Sequence, residues 1–256
     1  MSLIEIVGLF PSAVAAGAIN AIAGGGTLVT FPTLLFFGTP PIVANATSTL
    51  ALVVGTSGSI YGYRRHLAPV KPLLSRFLLV SSLGGLIGAR LLTLTTEKMF
   101  SKLVPFLILF ATILFLAGGM LRRAVKEEAH HPPVQPLWGA MVFQFAVAIY
   151  GGYFGAGIGI LMLATFSFIG LSNIYEMNTL KTVLGSLINL VATIWFIFAG
   201  LIHWPKAAVM TLGAVAGYFL GSHYCQRIEQ KQVRNIITTI GFIISAVTFY
   251  NEFLRN

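Results

Sequence analysis

Apolar residues gather in long runs, at about 3–38, 42–63, 73–95, 103–121, 137–170, 177–202, 207–225 and 235–254. Six of these are close to the ~20 residues that an α-helix needs to cross a bilayer. The other two are too long and are interrupted. A single helix over 3–38 would run about 50 Å at 1.5 Å per residue, well beyond a hydrocarbon core of ~30 Å. Gly24-Gly25-Gly26, with Pro32 six residues on, marks where that helix breaks. A break inside lipid leaves amides and carbonyls unpaired, so it is tolerated only against protein or a polar cavity. In transporters such breaks build the substrate site.

The interruption occurs twice. Gly151 to Ala164 carries a second glycine cluster, Gly155-Ala156-Gly157-Ile158-Gly159. A shift of 133 residues lays Gly24 on Gly157, Gly26 on Gly159, Asn45 on Asn178, Gly84 on Gly217 and Gly88 on Gly221. Shared landmarks at one shift predict a duplicated unit, with transmembrane repeats at 1–121 and 137–256 joined by a polar, proline-rich linker at 122–136. The expected fold is an all-α polytopic membrane protein of two homologous halves. Each half has a glycine-broken helix or hairpin and about three spanning helices.

Charge then bears on topology. If each broken run crosses once, the 16 Lys and Arg divide nine against seven between the two sides. If each folds back as a hairpin, the halves become inverted repeats. Arg64, Arg65, Lys71, Arg76, Arg122, Arg123, Lys126, Lys181, Arg227, Lys231 and Arg234 then face Arg90, Lys98, Lys102, Lys206 and Arg255. The second division satisfies the positive-inside rule better and predicts inverted repeats with both termini outside.

Composition agrees with a membrane protein: 56% hydrophobic, 9% charged, mean hydropathy +0.86. Soluble domains carry about 25% charged residues. The start lacks a basic region and a cleavage site, so no removable signal peptide is expected. The net charge of +9 follows from membrane orientation and is no reason to expect nucleic acid. Cys225 is the sole cysteine, which excludes an internal disulfide and a multi-cysteine metal site. His130-His131 falls in the solvated linker. The seven acidic residues are all glutamates, and none lies deep in an apolar run, so a carboxylate proton relay or sodium cage lacks parts. No nucleotide-binding loop, zinc-protease motif or serine elbow occurs, and neither cofactor nor metal is expected.

Polar groups and backbone breaks within the apolar runs are the candidate site. They are Asn20, Gly24, Gly25, Gly26, Thr27, Asn45, Ser48, Gly157, Gly159, Asn178 and Lys181. Asn45 and Asn178 stand where helices are expected to begin, and capping is the ordinary task of asparagine there. Placed face to face at mid-membrane, the breaks would offer an anion exposed amides and helix N-termini. Lys181, one turn after Asn178, either adds a full charge or snorkels to the headgroups. Arg90 and His223 occupy matching positions after small-residue spacings suited to close packing. His66, His203, Trp138 and Trp204 are expected at the interface.

These residues together resemble the sulfite exporter TauE/SafE family over about 8–255. The resemblance rests on Gly24-Gly25-Gly26 with Pro32, Asn45-Ala-Thr-Ser48, Gly155-Ala-Gly157-Ile-Gly159 and Asn178-Thr-Leu-Lys181. It rests also on Phe198 to Trp204 and the small-residue run Gly213 to Gly221. The resemblance implies a secondary carrier of the bacterial or archaeal plasma membrane, exporting sulfite, sulfoacetate or a related organosulfonate. Ile158 stands where a fuller glycine pattern has glycine, and the cysteines of thiosulfate-uptake relatives are missing. Expected partners are the anion and the bilayer, and a homo-oligomer is left open. Two other readings stand beside the carrier: an anion-selective channel, and a membrane partner or enzyme of sulfur metabolism.

Overall fold

A computed structural model describes residues 1–22, 25–62, 67–128, 137–171, 173–223 and 230–254. Among them the chain is helical, without strands. The first half contains α1 (Leu3–Ile22), α2 (Thr27–Phe36), α3 (Pro41–Gly62), α4 (Leu67–Leu94) and α5 (Glu97–Glu128). The second contains α6 (Leu137–Tyr153), α7 (Ile158–Phe168), α8 (Ile174–Phe198), α9 (Trp204–His223) and α10 (Gln230–Phe253). Five of these, α1, α4, α5, α8 and α10, are long and apolar enough to cross a membrane. Each half's set of five includes two helices that flank a glycine break.

Local chemistry sets several ends. Ser2 N–H donates to the Glu5 carboxylate at 2.7 Å, a reciprocal cap that starts α1. Gly38 at φ +70° and Gly200 at φ +69° provide the left-handed residues that stop α2 and α8. Asn173 caps α8 by accepting the Tyr175 N–H at 3.0 Å. This corrects an expectation: Asn45 and Asn178 lie one turn inside α3 and α8 rather than at their starts. A helix begins where its first amides find acceptors, and Asn173 is placed to supply one.

Helix α2 returns antiparallel along α1. A Cβ on Gly8 would strike the Phe37 ring, and one on Gly26 would meet the Ala16 carbonyl at 2.6 Å. Other pairs run parallel. Gly213, Gly217 and Gly221 of α9 lie against the α1 backbone at Phe10, Val14 and Ala18 in turn. Gly84 and Gly88 of α4 lie in the same way on Phe145 and Ile149 of α6. Each half therefore packs its small-residue helix on the first helix of the other half. The middle is closed by α3 against α8, and α5 runs antiparallel to α10, with Phe106 edge-on to Phe249 and Phe253.

Burial is membrane-like. Leu79, Leu94, Phe198, Leu212 and Phe219 are large apolar side chains that face outward. The interior holds Thr30, Asn45, Thr47, Ser48 and Gln144. Lipid rewards that distribution, because exposed carbon costs nothing there and polar groups need partners.

Candidate functional site

The two breaks meet at a cavity of about 100 Å³. The first helical residues of both short helices border it, Thr27 of α2 and Ile158 and Gly159 of α7. Gly25 and Gly157 border it from the breaks, Asn20 from α1, and Tyr218 from α9. A face of α3 (Thr49, Leu52, Thr56) and a face of α8 (Lys181, Thr182, Gly185, Ser186, Asn189) complete the wall.

Asn20 holds the first break open. Its Oδ1 accepts the N–H groups of Gly25 at 2.7 Å and Gly26 at 3.2 Å. Its Nδ2 donates to the Tyr218 hydroxyl. Two amides that lipid would leave unpaired are thus satisfied by one side chain, itself anchored to α9. The second break uses a different device: the Tyr150 hydroxyl donates to the Ala156 carbonyl at 2.7 Å. Gly155 and Gly157 both sit at φ +79°, a conformation that glycine adopts freely.

Gly159 lies close to a side chain of α8. A Cβ there would lie 3.1 Å from Lys181 Cδ, so the lysine stem passes over the start of α7. The half-positive N-terminus of α7 and an ammonium-bearing side chain therefore adjoin one cavity. Phe154 forms another wall, edge-on to Phe31 at 5.3 Å and 90°.

Of the residues expected from sequence, Asn20, Gly25, Thr27, Gly157, Gly159 and Lys181 border this cavity. Gly26 caps α2 behind it. Gly24 lies outside the described residues. Asn45, Ser48 and Asn178 do not border it. Asn45 is buried with Nδ2 donating to the Tyr153 carbonyl at 3.0 Å, and Ser48 shares a 2.6 Å hydrogen bond with Thr30. Sequence reasoning missed Thr49, Thr56, Thr182, Ser186, Asn189 and Tyr218. Part of the signal was present, since the same 133-residue shift lays Thr49 on Thr182 and Thr56 on Asn189.

At the bundle end that holds the chain start, Lys206 is 5% exposed. It pairs with Glu5 at 3.0 Å and donates to the Phe37 carbonyl at 3.0 Å and to Thr39 Oγ1 at 3.1 Å. Beside it the Ile42 N–H donates to Glu97 at 3.2 Å. Lys206 was read from sequence only as a loop charge. His66, His130, His131 and Cys225 lie outside the described residues, and so do most of the linker and the side chain of His223. Trp138 and Trp204 are exposed, and Arg90 faces outward.

Apolar helices wrapped about a polar cavity at paired helix breaks define a multi-pass membrane protein of the transporter class. The description "Sulfite exporter TauE/SafE" matches residues 9–248, and the chain belongs to that family. It is similar to a probable membrane transporter protein of Haemophilus influenzae, 30% identical over 247 residues, covering 95% of this chain and 94% of the relative. The probable membrane transporter protein YfcA of Escherichia coli K12 is 28% identical, over 95% of this chain and 89% of its own. The probable membrane transporter protein YunE of Bacillus subtilis is 24% identical, over 92% of this chain and 94% of its own. No solved structure matches the chain. The protein is therefore a membrane transporter of the TauE/SafE type rather than an enzyme.

Proposed function

We propose that this protein is a secondary carrier that exports a small sulfur-containing anion, sulfite, sulfoacetate or a related organosulfonate, across a bacterial or archaeal plasma membrane by alternating access. The observation that carries the reading is the cavity where two helix starts, Gly25, Gly157 and Lys181 come together. Helix N-termini and a lysine favour an anion, and a cavity of about 100 Å³ suits one of a few heavy atoms. Asn20, Thr27 and Gly159 complete the proposed first contacts, with Gly26 at the start of α2. Asn45 and Ser48 support the site indirectly by bracing α3 against Tyr153 and Thr30, and Asn178 stands as a candidate on sequence alone.

The two halves are inverted repeats in this reading, with both termini outside. The antiparallel return of α2 along α1 and the exchange of α4 and α9 between the halves support that arrangement. Rocking of one half against the other would expose the cavity alternately to each side. For an anion leaving a cell that is negative inside, the membrane potential supplies about 2.3 kcal/mol per charge per 100 mV.

The test is flux in proteoliposomes holding only this protein, with labelled sulfite or sulfoacetate and sulfate as competitor. Saturable flux that follows an imposed potential, with exchange of labelled for unlabelled anion, is the expected result. A steady single-channel current without exchange would make it a channel. Folded protein that moves neither anion would remove the substrate class.

A further inference from the structure

Hydroxyls on this protein's helices mostly turn back on their own backbone. Thr33 donates to the Val29 carbonyl at 2.7 Å, Thr49 to Asn45 at 2.8 Å, Thr165 to Leu161 at 3.0 Å and Thr179 to Tyr175 at 2.7 Å. That habit satisfies a hydroxyl where no water is at hand. Ser186 departs from it. Its side chain is 8% exposed, its Oγ has no hydrogen-bond partner, and it borders the cavity. A buried hydroxyl without a partner is costly, and one that faces a polar cavity has its partner in whatever fills that cavity.

The neighbours of Ser186 say what that occupant is. On the same face of α8 are Lys181, Thr182 and Asn189, and Thr27 and Gly159 at the starts of α2 and α7 border the same cavity. The face is therefore rich in donors and supplied with positive charge, and among the described residues no carboxylate borders it. Gly185, beside Ser186, keeps the wall open, since only Ile158 and Met162 come within 4 Å of a Cβ built there.

We propose that Ser186 is a substrate-binding residue whose hydroxyl donates to an oxygen of the carried oxyanion. The assignment rests on the carrier reading above and deepens it. A hydroxyl fixed on a helix imposes direction, so it suits the discrete oxygens of a sulfite or sulfonate group.

The test compares half-saturation for sulfite and sulfoacetate flux in the wild type, Ser186→Ala and Ser186→Thr. Loss of one hydrogen bond to a charged group predicts a rise of about tenfold or more in Ser186→Ala. The maximal rate should stay close to wild type, and Ser186→Thr, which keeps the hydroxyl, should retain most of the affinity. An unchanged half-saturation in folded Ser186→Ala overturns the proposal.

A second readout needs no flux. Ser186→Cys in a Cys225→Ser background is labelled with a methanethiosulfonate reagent that carries a sulfonate, with sulfate as protectant. Labelling slowed by sulfate supports an anion at this position, and labelling indifferent to sulfate, or no labelling, overturns it. If the wild type moves neither anion while sulfate still protects the thiol, the proposed substrate class falls and Ser186 remains an anion ligand. If protection is absent as well, both fall.

Discussion

Asn20 shows what a single side chain does at a broken helix. Its Oδ1 serves the Gly25 and Gly26 amides, and its Nδ2 reaches the Tyr218 hydroxyl. Asn20→Ala should destabilise the protein by about 2–4 kcal/mol, because two amides lose their acceptor at once. Tyr218→Phe removes one hydrogen bond and should cost about 1 kcal/mol. The double variant should lose less than the sum, since the two share that bond. Thermal midpoints of the purified variants in detergent decide this, and strict additivity would contradict the shared-bond account. A polar residue in an apolar run draws attention in the sequence, but its partners are 5, 6 and 198 residues away. For that reason candidacy was legible and the division between bracing and binding was not.

At the scale of elements, the small-residue stripes carry the packing between halves. A Cβ on Gly217 would lie 2.0 Å from the Val14 carbonyl oxygen, and one on Gly88 would lie 2.0 Å from that of Ile149. Both obstacles are backbone, so neither can swing aside. Gly88→Ala and Gly217→Ala should each cost about 3 kcal/mol or more, at the upper end of overpacking effects, with similar losses in the two halves. Gly139 in α6 has nothing within 4 Å, and Gly139→Ala should gain about 0.5–1 kcal/mol of helix stability. Yield of folded protein and its thermal midpoint measure all three. The sequence displayed these stripes at a common shift. It did not say that each would lie on the opposite half, because glycine spacing specifies a close approach and leaves its partner unnamed.

The whole molecule is organised by exchange between its halves. Glu5 near the chain start pairs with Lys206 at the start of α9, while Phe253 near the end lies edge-on to Phe106 of α5. Glu97, at the start of that same α5, accepts from Ile42 at the start of α3. These contacts gather the chain ends on one side of the bundle. Reporter fusions at the N- and C-termini should therefore report the same face of the membrane, which in the proposed orientation is the outer one. Opposite faces would refute the inverted arrangement.

The sequence by itself determined that this is an all-helical membrane protein and where its helices break, and its landmarks at one shift predicted a duplicated unit. Each of those follows from local quantities: run length against bilayer thickness, glycine and proline against helix continuity, and recurrence at one shift. The tertiary structure decided which polar groups share the cavity. Lys181, Ser186 and Asn189 meet Thr27 and Gly159 there, while Asn45 turns to Tyr153 and Ser48 to Thr30. Helix periodicity assigns residues to a face, but only packing assigns that face a neighbour, and in lipid the neighbour decides whether a polar group braces the fold or waits for a ligand.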